Sequence, residues 1–412
     1  MGGVDLKFVF NNVFTLRNAP LKFGVGATNE VGTEAKRLGM TNILVITDKV
    51  IHEKTDIITK VQESLEKEGI RVDIWDNVEP EPSKDNIMEC VDYAKDKNFN
   101  GFIGVGGGSS IDVAKVTDLL CTYPADFMDY LPKPIGRGKP VPGPLKPLIA
   151  IPTTAGTGSE TSHAAVVGLP ELNTKAAFLS TFLIPSLAIV DPLNTITAPP
   201  GVTASAGIDA LMHAIEAYTA RPFYSMPKRS PYAGSNILTD LLAEKAIELI
   251  AKNLRVAVWN GDDLEARTNM ALAAFLAGVS FENAGLHLPH AMAYPIAFRK
   301  HLPHGVTVGV LGPGFLKFIA PILPDKVARI AELFGKNIKG LSKREAALMA
   351  SEALAELLRD IGFPNGLEAL GIGRDEIPQM AKESMVRPWP ASPIKYTPKE
   401  IETIYELSLH YW

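Results

Sequence analysis

Between Ala206 and Tyr218 the chain reads Ala-Gly-Ile-Asp-Ala-Leu-Met-His-Ala-Ile-Glu-Ala-Tyr. In a helix this sets the carboxylate of Asp209 one turn before the imidazole of His213, on the same face. The segment is otherwise apolar apart from Glu216, so burial of at least one ionisable group is expected, and a buried charge needs a partner or a metal. Asn283-Ala-Gly-Leu-His-Leu-Pro-His-Ala-Met-Ala-Tyr-Pro295 adds His287 and His290, and Leu302-Pro-His-Gly305 adds His304. Five of the eight histidines fall between positions 213 and 304, which concentrates metal-ligand chemistry in that part of the chain. Any one of them could be a satisfied core residue. Asp209, His213, His290 and His304 taken jointly supply three imidazoles and a carboxylate, a complete set for a first-row divalent ion. On spacing alone His287 competes with His290, and Tyr294 follows His290 at the helical interval. His52, His163, His301 and His410 are expected in the surface or core, His163 lying close to the Thr154–Glu160 turn.

A second chemistry belongs to glycine-containing turns. Gly106-Gly-Gly-Ser-Ser-Ile-Asp112 follows an apolar strand and opens a helix, where free backbone N–H groups attract phosphate. Pro152-Thr-Thr-Ala-Gly-Thr-Gly-Ser-Glu160 follows the next strand. Two such turns at strand C-termini of one sheet are where an open α/β fold binds a nucleotide. Asp48, just past another strand, could hydrogen-bond a ribose diol and repel a 2′-phosphate, favouring NAD over NADP; it could equally be a helix N-cap.

The elements that must position these groups come in two textures. Asn42–Thr47, Arg71–Trp75, Gly101–Val105, Leu148–Ile151 and Leu187–Val190 read as strands, with helices over Val61–Glu68 and Asn86–Lys97. Their alternation predicts βαβ units and a mostly parallel sheet. Leu131–Pro147, rich in Pro, Gly and Lys, reads as an excursion. After Pro199-Pro200 the pattern turns helical, with capping boxes at Ser342/Glu345 and Thr397/Glu400 and a helix stop at Gly362. An α/β domain over 1–199 and an all-helical domain over 200–412 are therefore expected.

At 412 residues two domains are the natural division, and 46% hydrophobic with 21% charged residues describes an ordinary globular chain. A net charge of −5 gives no electrostatic reason to expect nucleic acid or an anionic membrane. No run of eighteen apolar residues and no leader pattern is seen, so a cytoplasmic location is expected. Cys90 and Cys121 have no metal spacing and read as core thiols.

Read together, Gly106-Gly-Gly-Ser109 with Asp112, Pro152–Glu160, Asp209-Ala-Leu-Met-His213 with Glu216-Ala-Tyr, and His290-Ala-Met-Ala with His304-Gly305 resemble the iron-containing (group III) alcohol dehydrogenases along essentially the whole chain. The resemblance implies a dinucleotide-binding α/β domain, a helical metal-binding domain and an active site in the cleft between them. It implies Asp209, His213, His290 and His304 as ligands, sets His287 aside, and names iron, although Zn(II) or Co(II) would suit the same donors. Gly106, Gly107, Gly108 and Ser109 would hold the pyrophosphate and Asp48 the adenosine ribose. Asp112, Thr153, Thr154, Ser159 and Lys175 would lie about the cofactor, NAD. Tyr294 stands where many members carry a further histidine. That position, with Gly285-Leu-His-Leu-Pro-His290, Asp126-Phe-Met-Asp-Tyr130 and Pro134-Ile-Gly-Arg-Gly-Lys139, resembles the hydroxyacid-oxoacid transhydrogenase branch, which moves hydride from 4-hydroxybutyrate to 2-oxoglutarate with the nicotinamide retained. The metal is expected to act as a Lewis acid on the substrate oxygen while hydride passes to the nicotinamide. Tyr294 or water could relay the alcohol proton.

Other readings compete. A primary alcohol or diol dehydrogenase that releases its NAD is the first alternative. Lyase chemistry of the dehydroquinate synthase type would call for more phosphate-binding cations near the metal motifs than the chain has. A nucleotide-binding interaction protein with a structural metal would show neither turnover nor need of a complete ligand set. A carboxylate substrate wants a cation, and Arg221, Lys228, Arg229, Arg299 and Lys300 flank the metal motifs, although most of them read as solvated surface charges. A small alcohol, aldehyde or hydroxyacid is the expected partner, with self-association into a homo-oligomer.

Overall fold

The computed structural model describes residues 13–172, 174–227, 230–300, 302–386 and 389–412. The chain divides into two compact units, one spanning Asn18–Ala198 and the other the chain from Pro199 onward together with the N-terminal arm.

The first unit is built on a six-stranded, wholly parallel sheet with the order β1-β8-β5-β4-β2-β3. Its strands are β1 (Leu21–Phe23), β2 (Asn42–Ile46), β3 (Arg71–Trp75), β4 (Gly101–Gly106), β5 (Leu148–Pro152) and β8 (Leu187–Val190). The central strands are apolar at nearly every position because both faces of a parallel sheet are covered. Alternate residues go to opposite faces. Leu44, Ile46, Phe102 and Ala150 pack with Ile87 and Val91 of α4 (Lys84–Ala94) and with Ile111 and Leu119 of α5 (Gly108–Thr122). Ile43, Val45, Ile103, Val105, Ile149 and Ile151 pack with Val31 of α1 (Val31–Arg37) and with Ile58 and Leu65 of α3 (Ile57–Lys67). Between α1 and α3 in sequence lies the short α2 (Lys49–Lys54). An antiparallel pair, β6 (Ala164–Leu169) with β7 (Thr174–Leu179), forms a separate two-stranded sheet. The five strands read from sequence occur within a residue of their expected ends; β1, β6 and β7 were not foreseen. Residues 131–147 carry neither helix nor strand, as the Pro/Gly content required.

The second unit is helical. It begins with α6 (Pro200–Thr219), whose proline occupies the first turn, where an N–H would lack a partner anyway. α7 (Ile237–Trp259), α8 (Leu264–Ala284), α9 (Leu288–Lys300), α10 (His304–Gly309), α11 (Gly312–Ile319), α12 (Pro324–Leu333), α13 (Lys343–Asp360), α14 (Ile377–Glu383) and α15 (Pro398–Leu407) follow. Reciprocal capping boxes start α13 at Ser342/Glu345 and α15 at Thr397/Glu400, and Gly362 sits at φ +72° just past α13. No single helix among the described residues is long and apolar enough to cross a membrane.

One boundary needs correction. The expected first domain began at residue 1, yet the described arm 13–17 groups with the helical unit. The cause is the fully buried amide of Asn283, which must be satisfied. Its Oδ1 accepts from Arg17 N at 2.7 Å and its Nδ2 donates to Arg17 O at 2.8 Å, while Phe14 packs edge-on to Phe223 at 5.2 Å.

Candidate metal centre and glycine turns

Helix α6 carries Asp209, His213 and Glu216 on one face, spaced by four and three residues, and all three are buried. The first turn of α9 brings His290, and the start of α10 brings His304, which stays partly exposed at 38%. Gly305 makes the last approach possible, because a Cβ there would meet the backbone oxygen of Ser205 on α6 at 2.0 Å.

One oxygen organises the group. Asp209 Oδ1 lies 3.8 Å from His213 Nε2, 3.7 Å from His290 Nε2 and 4.0 Å from His304 Nε2. These separations are too long for hydrogen bonds and near the ~3.4 Å ligand-to-ligand edge of a tetrahedral ion with ~2.1 Å bonds. Asp209 Oδ1 and His290 Nε2 are buried and make no hydrogen bond among the described residues. Two orphaned polar atoms facing one another in a buried position would each cost about 1–3 kcal/mol, so the donor set fits a cation between them. Asp209, His213 and His290 form a metal-binding group, their ligand atoms all within 4.8 Å. The His213 ring is nearly parallel to that of His290 with centroids 4.8 Å apart, and Phe281 covers it at 4.4 Å.

The electrostatics agree. Burial would raise the Asp209 carboxyl, but the His213, His304 and His290 imidazoles outweigh it and hold the group well below the usual range. Glu216 is likewise pulled below its ordinary value against burial, chiefly by His290. Burial works against charge on His290 too, yet Glu216 and Asp209 raise it to about 9, so without an ion this ring keeps a second proton. Burial pushes His287 down to about 4 and keeps it neutral. Two carboxylates among imidazoles make a site whose charge one divalent cation neutralises.

His287 is held away from the metal-binding group. Its Nε2 donates to Glu216 O at 3.0 Å and lies 3.2 Å from Thr219 Oγ1. The ambiguity that spacing left between His287 and His290 is thus resolved by α6, whose backbone occupies the former.

In the α/β unit the glycine turn lies where β4 ends and α5 begins. Gly106 adopts φ +148°, and a Cβ there would stand 2.4 Å from Ser110 Oγ and 3.5 Å from Asp48 Oδ2. A Cβ on Gly107 would sit 3.9 Å from Thr154 Oγ1, and one on Gly108 would be 2.9 Å from Thr157 Oγ1 and 3.1 Å from Ser159 Oγ. Thr153 N donates to Gly106 O at 2.9 Å, which joins the two turns directly. The backbone of 106–108 is therefore bare and ringed by hydroxyls, with the N-terminus of a fifteen-residue helix behind it. That arrangement can cradle a phosphate.

Asp48 is an N-cap, its Oδ1 accepting from Val50 N at 2.9 Å and Ile51 N at 3.0 Å, while Oδ2 points toward Gly106. Asp112 is buried, and its Oδ2 accepts from Val166 N at 2.9 Å, tying α5 to β6. Lys175 lies on β7 with its Nζ 2.6 Å from Glu81 Oε1. Tyr294, one turn after His290, has its ring 6.3 Å from that of Trp389. The flanking cations have other duties: Arg221 Nε donates to Ser392 O, Arg299 pairs with Glu383 and Glu376, and Lys300 Nζ donates to Gly371 O. Lys228, Arg229 and His301 lie outside the described residues.

Residues 19–192 match the family described as iron-containing alcohol dehydrogenase, and residues 203–409 match the C-terminal part of the Fe-containing alcohol dehydrogenase family. The chain belongs to the iron-containing alcohol dehydrogenase family. This family member is 37% identical to the mitochondrial hydroxyacid-oxoacid transhydrogenase of Rattus norvegicus over 96% of this chain and 90% of that protein. It is 35% identical to the Caenorhabditis elegans counterpart over the same shares. Among solved structures it is similar to a 1,3-propanediol oxidoreductase, with TM-score 0.88 and 35% identity over 96% of this chain and all of the other. An alcohol dehydrogenase from Oenococcus oeni follows at TM-score 0.87 and 32% identity, covering 96% and 99%. The family member is an oxidoreductase with an Asp/His/His metal-binding group.

Sequence reasoning gave Phe281 no part in these sites, and it named Glu216, Ser110 and Thr157 only as members of their segments, without a role. For Glu216 the signal was present, since it falls three residues after His213 and seven after Asp209, on the ligand face of α6.

Proposed function

We propose that this family member transfers hydride from a 4-hydroxybutyrate-type hydroxyacid to nicotinamide, with 2-oxoglutarate as the oxoacid that takes the hydride up. The observation that carries this reading is the 37% identity to a hydroxyacid-oxoacid transhydrogenase along 96% of the chain. Asp209, His213, His290 and His304 would hold Fe(II), which when bound supplies Lewis acidity toward the substrate oxygen, while NAD supplies the hydride carrier.

The chain's own residues do the rest. Asp209 contributes the negative charge that retains a divalent ion in a buried position. Phe281 against His213 keeps water from that side of the ligand set. The bare backbone of Gly106–Gly108 with Ser109, Thr153, Thr154 and Ser159 holds the pyrophosphate. Asp48 Oδ2, left over from capping, faces the glycine turn and favours a ribose diol over a 2′-phosphate. Tyr294, one turn after His290 on α9, would pass the alcohol proton outward.

The similarity to a 1,3-propanediol oxidoreductase at 35% identity favours a second reading, a primary alcohol or diol dehydrogenase with freely exchanging NAD. One assay separates them: Fe(II)-loaded protein with 4-hydroxybutyrate, with and without 2-oxoglutarate, and with and without added NAD. Turnover that requires 2-oxoglutarate and no added NAD is expected. NADH accumulating from simple alcohols without any oxoacid would overturn the transhydrogenase reading.

A further inference from the structure

The centre contains a second carboxylate that is not placed to be a ligand. Glu216 is fully buried, and both of its oxygens are committed. Oε1 accepts from His290 Nδ1 at 2.6 Å, and Oε2 accepts from the backbone N–H of His287 at 2.7 Å. Asp209 lies beyond the opposite edge of the His290 ring, 3.7 Å from Nε2. The imidazole is thus hydrogen-bonded at Nδ1 by one carboxylate of α6, while a second carboxylate of the same helix lies across from Nε2 without bonding it.

An imidazole binds a metal through the nitrogen that carries a lone pair, and which nitrogen that is depends on where the ring proton is held. From this geometry we infer that Glu216 is the positioning residue for His290: its buried carboxylate holds the proton on Nδ1 and so aims the Nε2 lone pair at the position shared by Asp209, His213 and His304. The second oxygen extends the effect to the backbone. By fixing His287 N–H it anchors the turn that opens α9, and His290 stands three residues into that anchored segment. One residue of α6 therefore sets both the rotation of the ring and the helix that carries it. A hydrogen-bond partner behind a metal-bound histidine raises its basicity and is commonly worth 10–100-fold in metal affinity.

This role rests on the reading that these four residues hold an ion, and the test keeps the two apart. Zn(II) affinity is measured by chelator competition on the full-length wild-type protein and on Glu216→Gln and Glu216→Ala, with folding checked by circular dichroism. A glutamine has one accepting oxygen, so it cannot serve both His290 Nδ1–H and His287 N–H. The dissociation constant is expected to rise about 10–100-fold in Glu216→Gln, and at least as far in Glu216→Ala. In the Zn(II)-loaded wild type, long-range 1H–15N correlation of histidine should show His290 metallated at Nε2 and protonated at Nδ1, and the Nδ1–H signal should move in Glu216→Gln. Folded variants that bind Zn(II) as tightly as wild type would overturn the assignment. So would metallation of His290 through Nδ1, a result read from the wild type even if both variants failed to fold. Failure of the wild type to bind Zn(II) at all would instead remove the ion from the site, and Glu216's role with it.

Discussion

Three buried carboxylates of the α/β unit and two of the helical unit are shifted in opposite directions. In the α/β unit burial dominates at Asp112, Asp118 and Glu160 and raises them to about 6, about 7 and about 7. In the helical unit Asp209 and Glu216 are buried as deeply, yet surrounding imidazoles pull both below their ordinary values. The difference lies in the neighbours. A buried acid without sufficient positive company is pushed toward its neutral form, whereas one ringed by histidines stays charged and attracts a cation. Depth of burial alone therefore does not separate Asp209 and Glu216 from the other three; the imidazoles around them do.

The strongest way to break this contrast is Asp209→Ala. Without that charge, the imidazoles have no common counter-ion, and the bound metal is expected to fall to trace. Loss of several kcal/mol of transition-state stabilisation corresponds to a fall in kcat of about 10³-fold or more. Metal analysis together with steady-state turnover reads both quantities; retention of full metal content and full activity would remove Asp209 from the centre.

A smaller effect, confined to the other unit, is expected from Gly106→Ala. The new methyl meets Ser110 Oγ at 2.4 Å in a backbone conformation that L residues rarely adopt. Displacing the start of α5 should cost about 1–3 kcal/mol and raise the KM for NAD roughly tenfold or more. Metal content should stay at the wild-type level, because the Asp209, His213 and His290 group comes from α6 and α9. Loss of metal in this variant would show that the two regions are not separable in the way their electrostatics suggest.

The sequence made the ligand set readable because Asp209 and His213 need only local helix geometry to share a face, and because histidine is scarce. The β2, β3 and β8 strands were readable for a similar reason, as short β-rich runs that need no distant partner to be noticed. What stayed hidden depends on pairing across the chain. The three residues of β1 become a strand only beside β8, and the apolar stretches of β6 and β7 define an antiparallel sheet only against each other. No spacing rule reveals that Asp112 accepts from Val166, 54 positions away, or that Arg299 is taken up by Glu383. The cations near the metal motifs read mostly as solvated surface charges, because their partners are far away in sequence. Glu216 was named but given no role for a related reason: its face was legible, but the two groups it holds lie 71 and 74 residues away, at the start of α9.

Asp118 sharpens the contrast through pH. Its Oδ1 accepts from Thr122 Oγ1 at 2.9 Å and Lys146 N at 3.3 Å. Because the folded value is raised, the neutral acid favours the fold fully below the unfolded value of about 4, and this contribution is lost as pH rises through about 7. Asp118→Asn keeps an accepting oxygen and cannot ionise. Denaturant melts of the metal-free protein should show the wild type losing stability relative to this variant between pH 4 and pH 8. The gap at pH 8 is expected to be on the order of 1 kcal/mol or more, a single pKa unit being worth about 1.4 kcal/mol. Parallel pH profiles would mean that Asp118 is not held neutral by burial.

The smallest expected change decides between the two roles of Asp48. Oδ1 caps α2, while Oδ2 is directed at Gly106. Asparagine is as good an N-cap as aspartate, so Asp48→Asn should alter stability by no more than a few tenths of a kcal/mol. It removes the charge, however, and a charge beside the glycine turn is what would repel a 2′-phosphate. The ratio of kcat/KM for NADP over NAD should therefore rise by roughly tenfold, about 1.4 kcal/mol of discrimination, with the oxidation of a given alcohol as readout. An unchanged ratio with unchanged stability would leave Asp48 a cap and nothing more, and cofactor choice would then have to lie with the hydroxyls of Ser110, Thr154, Thr157 and Ser159 around the turn.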